Sequence, residues 1–162
     1  MKETGSLQVT TPTDREIVMT RVFDAPRALV FDAFSRPELL RRWFGPRGWS
    51  PVVCEVDLRV GGGFRFVLRG PGGKDLGMRG VYREIVPPER SVHAESFDDY
   101  PGESVVTATL IEQGGKTLFT ATVLYPSREV RDLVIRSGMQ HGAAEGYDKL
   151  AELLAGMPRS AE

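Results

Sequence analysis

One cysteine and two histidines are all that 162 residues provide as thiols and imidazoles. A lone thiol cannot close an internal disulfide, so Cys54 argues against a cross-linked secreted scaffold and for a reducing cytoplasm. His93 and His141 lie far apart, with no HExxH pattern or paired-cysteine spacing, and neither a metal nor any other cofactor is expected. An excess of one charge is missing too: 21 basic residues face 22 acidic ones, leaving a net charge of −1 and no global field to hold a nucleic acid. No apolar run approaches the ~18 residues of a membrane span, and no basic-then-apolar leader with a cleavage site opens the chain. No nucleophile elbow appears. The glycine run Gly61–Gly63 leads into strand-like residues rather than a helix, which makes it a turn or bulge and not a phosphate loop.

What remains is an ordinary globular composition, 41% hydrophobic and 27% charged, in a length that suits one domain. Residues 1–14 are polar and aperiodic and read as a flexible tail, residues 15–156 as the folded domain, and residues 157–162 as a second tail. From Arg15 the alternation of REIVMTRVF marks a first strand. The period then becomes helical through Leu29, Val30, Ala33 and Phe34, with Asp24 or Ala25 as cap and Pro26 in the first turn, and a second short helix covers about residues 37–42. Six strand-like segments follow, separated by VGGG, PGGKD, VPPER, DDYPGE and QGG, which predicts an antiparallel meander and a sheet of seven strands. Cys54 alternates with Val52 and Val56 there as a small hydrophobe. KTLFTATVLY carries apolar residues in both phases and does not declare its inner face.

The spacing of Ile135, Met139, Gly142, Ala143, Gly146, Leu150 and Leu153 predicts one long helix over about residues 128–154, packed on the sheet. His141, Glu145, Asp148 and Glu152 fall on its opposite face, toward water. Each of the two mid-helix glycines on the inner face costs about 1 kcal/mol relative to alanine, and either close approach to the sheet or empty volume would account for them.

Both tryptophans of the chain sit in WFGPRGWS, residues 43–50, where glycine and proline rule out a continuous helix or strand. Arg41, Arg42 and Arg47 flank the rings, either solvated or facing an acidic head group or partner. In SVHAESF, His93 shares a strand face with Glu95 and Phe97. Turned inward, that pair is a polar anchor or a general base; turned outward, it is a solvated contact.

The runs RVFDAPRALVFDAFSRPELLRRWFGPRGWS, DLRVGGGFRF, GVYREIVPPERSV and GMQHGAAEGYDKLAELLAG resemble the START-like helix-grip (SRPBCC) superfamily. More narrowly, the chain is similar to bacterial stand-alone domains related to the C-terminal domain of the activator of the ninety-kilodalton heat-shock protein ATPase. The resemblance implies an α+β fold in which a seven-stranded antiparallel sheet curls around the C-terminal helix, two short helices close one end, and an apolar cavity lies between. Co-chaperones similar to this chain carry a separate N-terminal domain, whereas 14 residues precede the first strand here. Relatives often place a large aromatic where Ala143 stands and a larger residue than Gly146, so the resemblance implies a roomier cavity.

On this reading the protein binds a small hydrophobic or aromatic molecule, with no chemistry assigned. The expected ligand-binding residues are Phe34, Trp43, Phe44, Trp49, Phe66, Met139, Ala143 and Tyr147, with His93 as the polar contact. Phe66 is preferred to Val67 because Phe64, Phe66 and Leu68 form the apolar alternation of their strand. The alternatives are a module that engages a chaperone or regulator, and a cyclase or hydrolase using His93 with Glu95. A homodimer suits a sheet of this kind, though one sequence does not reveal an interface.

Overall fold

The computed structural model of the chain describes residues 6–100 and 102–158. Eight strands form one antiparallel sheet: β1 (Gln8–Thr10), β2 (Glu16–Phe23), β3 (Ser50–Val56), β4 (Gly63–Arg69), β5 (Asp75–Val86), β6 (Arg90–Phe97), β7 (Ser104–Gln113) and β8 (Lys116–Leu124). Helices α1 (Arg27–Ser35) and α2 (Pro37–Trp43) follow β2, while α3 (Arg128–Arg136) and α4 (Met139–Ala155) follow β8. The strand order is β1-β2-β8-β7-β6-β5-β4-β3. Strands β3 to β8 run as the predicted meander, and β2 closes onto the last of them.

The expectation of seven strands is corrected to eight. The additional strand lies within the segment read as a tail: Val9 pairs with Met19, which ties residues 8–10 to β2. Its three residues show no apolar alternation that would have announced it. The opposite edge, β3, has Pro51 beside a register irregularity between Pro51 and Val53. Of the second predicted tail, Met157 packs against the core, and residues 159–162 lie outside the described residues.

The two phases of β8 separate cleanly. Thr117, Phe119, Ala121 and Val123 are buried on the inner face, while Leu118 and Leu124 are more exposed. The hairpin before it fixes that register. Gly114 and Gly115 both take positive φ, at 59° and 79°, as a two-residue turn between Gln113 and Lys116 requires. Thr117 then donates its hydroxyl to the Ala25 carbonyl at 2.7 Å, anchoring the start of α1 on β8.

The single long C-terminal helix is also corrected. It breaks at Ser137–Gly138, where Gly138 has φ 79°, and Ser137 N–H caps the end of α3. Helix α3 starts on the Ser127 hydroxyl, which accepts from Val130 N–H at 3.1 Å, and buries none of its residues fully. Helix α4 lies across the sheet and divides along its length. Leu150, Leu153 and Leu154 close a solid core with α1 and β2 residues such as Phe23, Leu29 and Val30, whereas Met139 to Tyr147 face a hollow.

Arg21 of β2 is 4% exposed and its guanidinium donates to Asp148 of α4 at 2.7 Å, with Phe23 beneath it at 5.3 Å. Asp148, expected to face water alone, therefore holds the helix to the sheet through a buried cation. Removing one partner of such a pair leaves an uncompensated charge. Asp148→Ala is expected to cost about 3 kcal/mol in urea denaturation, at the low end of the range for buried pairs because the carboxylate is half exposed. Arg21→Met, which deletes the charge and keeps the stem, should cost less, and the reverse order would show that the pair is not charge-coupled.

Candidate functional site

The hollow is a cavity of about 710 Å³ between the inner sheet face and helices α1 to α4. Strands β4 and β5 contribute Phe64, Phe66, Met78 and Tyr82, and β8 contributes Phe119. The helices contribute Phe34, Trp43, Met139, Ala143 and Tyr147, with Phe44 at the end of α2. Their rings form a continuous apolar lining. Phe34 stacks on Phe119 at 4.6 Å and meets Trp43 edge-on at 5.0 Å, while Phe44 meets Phe66 at 5.0 Å. Trp43 donates Nε1–H to the Ala33 carbonyl at 2.9 Å, so its ring is held in place and its one polar atom is satisfied.

Leu58, Tyr100 and Leu133 line the cavity and are also 41%, 54% and 44% exposed, so they mark its mouth. The inner face of α3, through Val130 and Val134, covers the same side. These α3 residues were missed in the sequence because the helix was read as continuous with α4.

The WFGPRGWS segment is clamped onto α4. A Cβ at Gly146 would stand 3.3 Å from the Gly45 carbonyl oxygen, and one at Gly142 would stand 3.2 Å from Pro46 Cγ. The two helix glycines thus accommodate this loop, not the sheet. Lys149 donates to the Gly45 carbonyl at 3.2 Å, Glu145 accepts from Arg47 N–H at 3.2 Å, and Glu152 pairs with the Arg47 guanidinium. Glu145 and Glu152, expected to meet water, hold the loop instead.

Trp49 is the exception among the expected lining residues, for it stands outside the cavity. Gly48, at φ 88°, turns the chain away from α4 before β3 begins, and the Trp49 ring covers Gly70, where a Cβ would fall 2.5 Å from it. The other eight expected residues all border the cavity.

Polar residues interrupt the lining in several places, among them Ser35, Arg90, Ser104 and Arg136 as well as a histidine–carboxylate pair on β6. His93 and Glu95 point inward from β6, and His93 Nε2 lies 2.8 Å from Glu95 Oε1. The imidazole also meets the Phe64 ring edge-on at 5.1 Å. Tyr82, Tyr125 and Tyr147 also line the cavity. Burial pushes the Tyr82 phenol up to about 12, and pushes Tyr125 and Tyr147 up as well, the charge of Glu95 adding to the effect in the last two. Tyr125 was legible in principle, as it continues the Phe119, Ala121, Val123 phase; Tyr82 is obscured by a register irregularity between it and Glu84.

The remaining candidates lie elsewhere. Cys54 is buried beside α2, its Sγ 3.8 Å from the Pro37 carbonyl oxygen, and burial raises its pKa. Arg41 donates to the Cys54 carbonyl, Arg47 is used by the loop clamp, and His141 pairs with Glu145 at 3.4 Å on the helix surface. Among the described residues, no group of three or more His, Cys, Asp or Glu side chains could hold a metal ion, and no helix is long and apolar enough to cross a membrane.

Residues 24–155 match the family described as Activator of Hsp90 ATPase homolog 1-like protein. The chain belongs to this family. Solved structures of similar proteins share its helix-grip architecture over nearly their whole length. One from Rhodobacter sphaeroides is 32% identical with a TM-score of 0.89, the match covering 93% of this chain and 99% of that one. A Chromobacterium violaceum protein is 28% identical, TM-score 0.80, over 90% of this chain and 100% of its own. A Nitrosomonas europaea protein is 26% identical, TM-score 0.81, over 90% and 97%. Among curated proteins nothing matches.

The phenols carry a sign that can be checked. A tyrosine whose folded pKa is raised binds its proton more tightly in the native state, so stability is full below the unfolded value near 10 and falls as pH rises toward about 12. Urea midpoints measured across that window should decline, and Tyr82→Phe should make the decline shallower. A variant with an unchanged slope would show that Tyr82 is not shielded from water.

Proposed function

We propose that the protein binds a small apolar or aromatic molecule in the cavity between the sheet and α4. The observation that carries this reading is a mostly apolar cavity of about 710 Å³, walled by interlocking aromatic rings and interrupted by polar groups that include the His93–Glu95 pair. That volume falls within the usual range for small-molecule sites, and a few convergent polar groups in an apolar wall serve orientation rather than solvation. The expected binding residues are Phe34, Trp43, Phe44, Phe66, His93, Met139, Ala143 and Tyr147. The lone, buried Cys54 thiol suits a reducing cytoplasm as the place of work.

Filling the space tests the reading. Met139→Trp should weaken binding of the neutral dye N-phenylnaphthylamine about tenfold, or about 1.4 kcal/mol, with the circular dichroism spectrum unchanged. Trp49→Phe, outside the cavity, should leave affinity within about twofold. An intact Met139→Trp variant that binds the dye as well as the parent chain would overturn the cavity as the site.

One observation favours a second reading, a hydrolase or cyclase: the inward-facing imidazole of His93 is already oriented by a carboxylate at 2.8 Å, as a general base would be. This reading predicts turnover of an apolar ester such as para-nitrophenyl butyrate, with a pH–rate profile that His93→Ala removes. Binding without turnover, weakened by that substitution, returns the dyad to a polar anchor.

A further inference from the structure

Three acceptor or donor groups on residues that line the cavity have no protein partner among the described residues. Glu95 uses Oε1 for His93 and has no partner for Oε2. The hydroxyls of Tyr125 and Tyr147 make no hydrogen bond to another side chain or to the backbone among the described residues, although Tyr125 is only 7% exposed. None of these atoms is sealed inside protein, because the fully enclosed, unpaired side-chain atoms among the described residues are Thr20 Oγ1 and Arg21 Nε. The residues that carry them all line the cavity. Strand register pairs Glu95 with Ser104 and Val105 with Leu124, so Glu95 and Tyr125 stand in neighbouring rows of the inner sheet face two strands apart, while Tyr147 borders the same cavity from α4.

Buried polar groups are costly to leave unpaired, so the chemistry of this cluster constrains what satisfies it. A phenol must give its proton to an acceptor, and a carboxylate oxygen must receive one from a donor. A ligand carboxylate would accept from the phenols and be repelled by Glu95. An ammonium would donate to Glu95 but has no lone pair for the phenol protons. A hydrocarbon would leave all three groups unpaired. A hydroxyl accepts and donates at the same atom.

We propose that Glu95, Tyr125 and Tyr147, with His93 fixing the carboxylate, form a head-group subsite for a neutral hydroxyl carried at one end of an apolar or aromatic ligand. The inference rests on the cavity's being the binding site and adds the class of ligand. The ring lining of Phe34, Phe119 and Phe64 takes the apolar body, and the hydroxyl lies between the phenols and Glu95 Oε2. The subsite sets both the orientation of the ligand and the preference among ligands of equal size.

Four probes of one shape separate the terms: biphenyl, para-phenylphenol, biphenyl-para-carboxylate and para-phenylbenzylamine, each titrated calorimetrically into the whole chain. The expected order has para-phenylphenol at least fivefold tighter than biphenyl, and the carboxylate and the amine weaker than the phenol. Replacing both Tyr125 and Tyr147 by Phe should bring the ratio of phenol to biphenyl affinity close to one. Glu95→Gln should relax the discrimination against the carboxylate, a readout that loose folding alone would not produce. Equal binding of biphenyl and para-phenylphenol, or tightest binding of the amine or the acid, would overturn the subsite while leaving the cavity reading standing. Failure of every probe to bind would overturn both.

Discussion

The close approach of the Gly45 backbone and the Pro46 ring to α4 is the constraint on which the rest of the structure depends. A Cβ at position 146 would press on the Gly45 carbonyl oxygen at 3.3 Å and one at 142 on the Pro46 ring at 3.2 Å, so the loop that continues from the aromatic end of α2 would have to shift by a few tenths of an ångström. Glycine in the middle of a helix is unfavourable by about 1 kcal/mol per position, and here that cost is offset by the hydrogen bonds and ion pair that Lys149, Glu145 and Glu152 extend to the loop. The helix face that looks solvated in the sequence is therefore an adhesive surface. It holds the loop that continues from Trp43 and Phe44, which form one wall of a chamber.

A chamber of this size beside the core forgoes packing that a filled interior would have supplied. The fold accommodates it by dividing α4. Leu150 and Leu154 are sealed against α1 and the sheet, and Arg21 pins the same half of the helix through Asp148. The other half carries small or flexible residues, Met139, Gly142 and Ala143, over the space. Stability and recognition thus occupy successive turns of one helix, and substitutions in the two halves should act on different properties.

Much of the fold was legible because alternation and turn residues agreed. Phe64, Phe66 and Leu68 face inward as their spacing requires, and the Gly114–Gly115 turn sets β8 against β7. The family resemblance read from the motifs is matched by the family to which residues 24–155 belong. What was not legible depends on distant partners. Trp49 looks like Trp43 in composition, and only the turn at Gly48 and the space over Gly70 decide that it leaves the cavity. Glu145 and Glu152 have the helical phase of solvent residues, and only the loop's return makes them ligands of Arg47. The break after Ser137 hides in a serine and a glycine, which a strong apolar periodicity on both sides outweighs. The inward turn of His93 follows from sheet register, which a single strand's sequence does not contain.

The two borders of the sheet carry a consequence of their own. Strand β1 is three residues long, and β3 presents Pro51, which has no N–H to donate, next to an irregular register. Neither border offers a long, regular row of open backbone groups to a neighbouring chain. Two copies of this protein are thereby discouraged from fusing their sheets into one continuous ribbon. A lasting pair would then meet through side chains, on the outer sheet face or at the helices, which makes self-association a matter of surface substitutions and leaves the backbone ladder out of it.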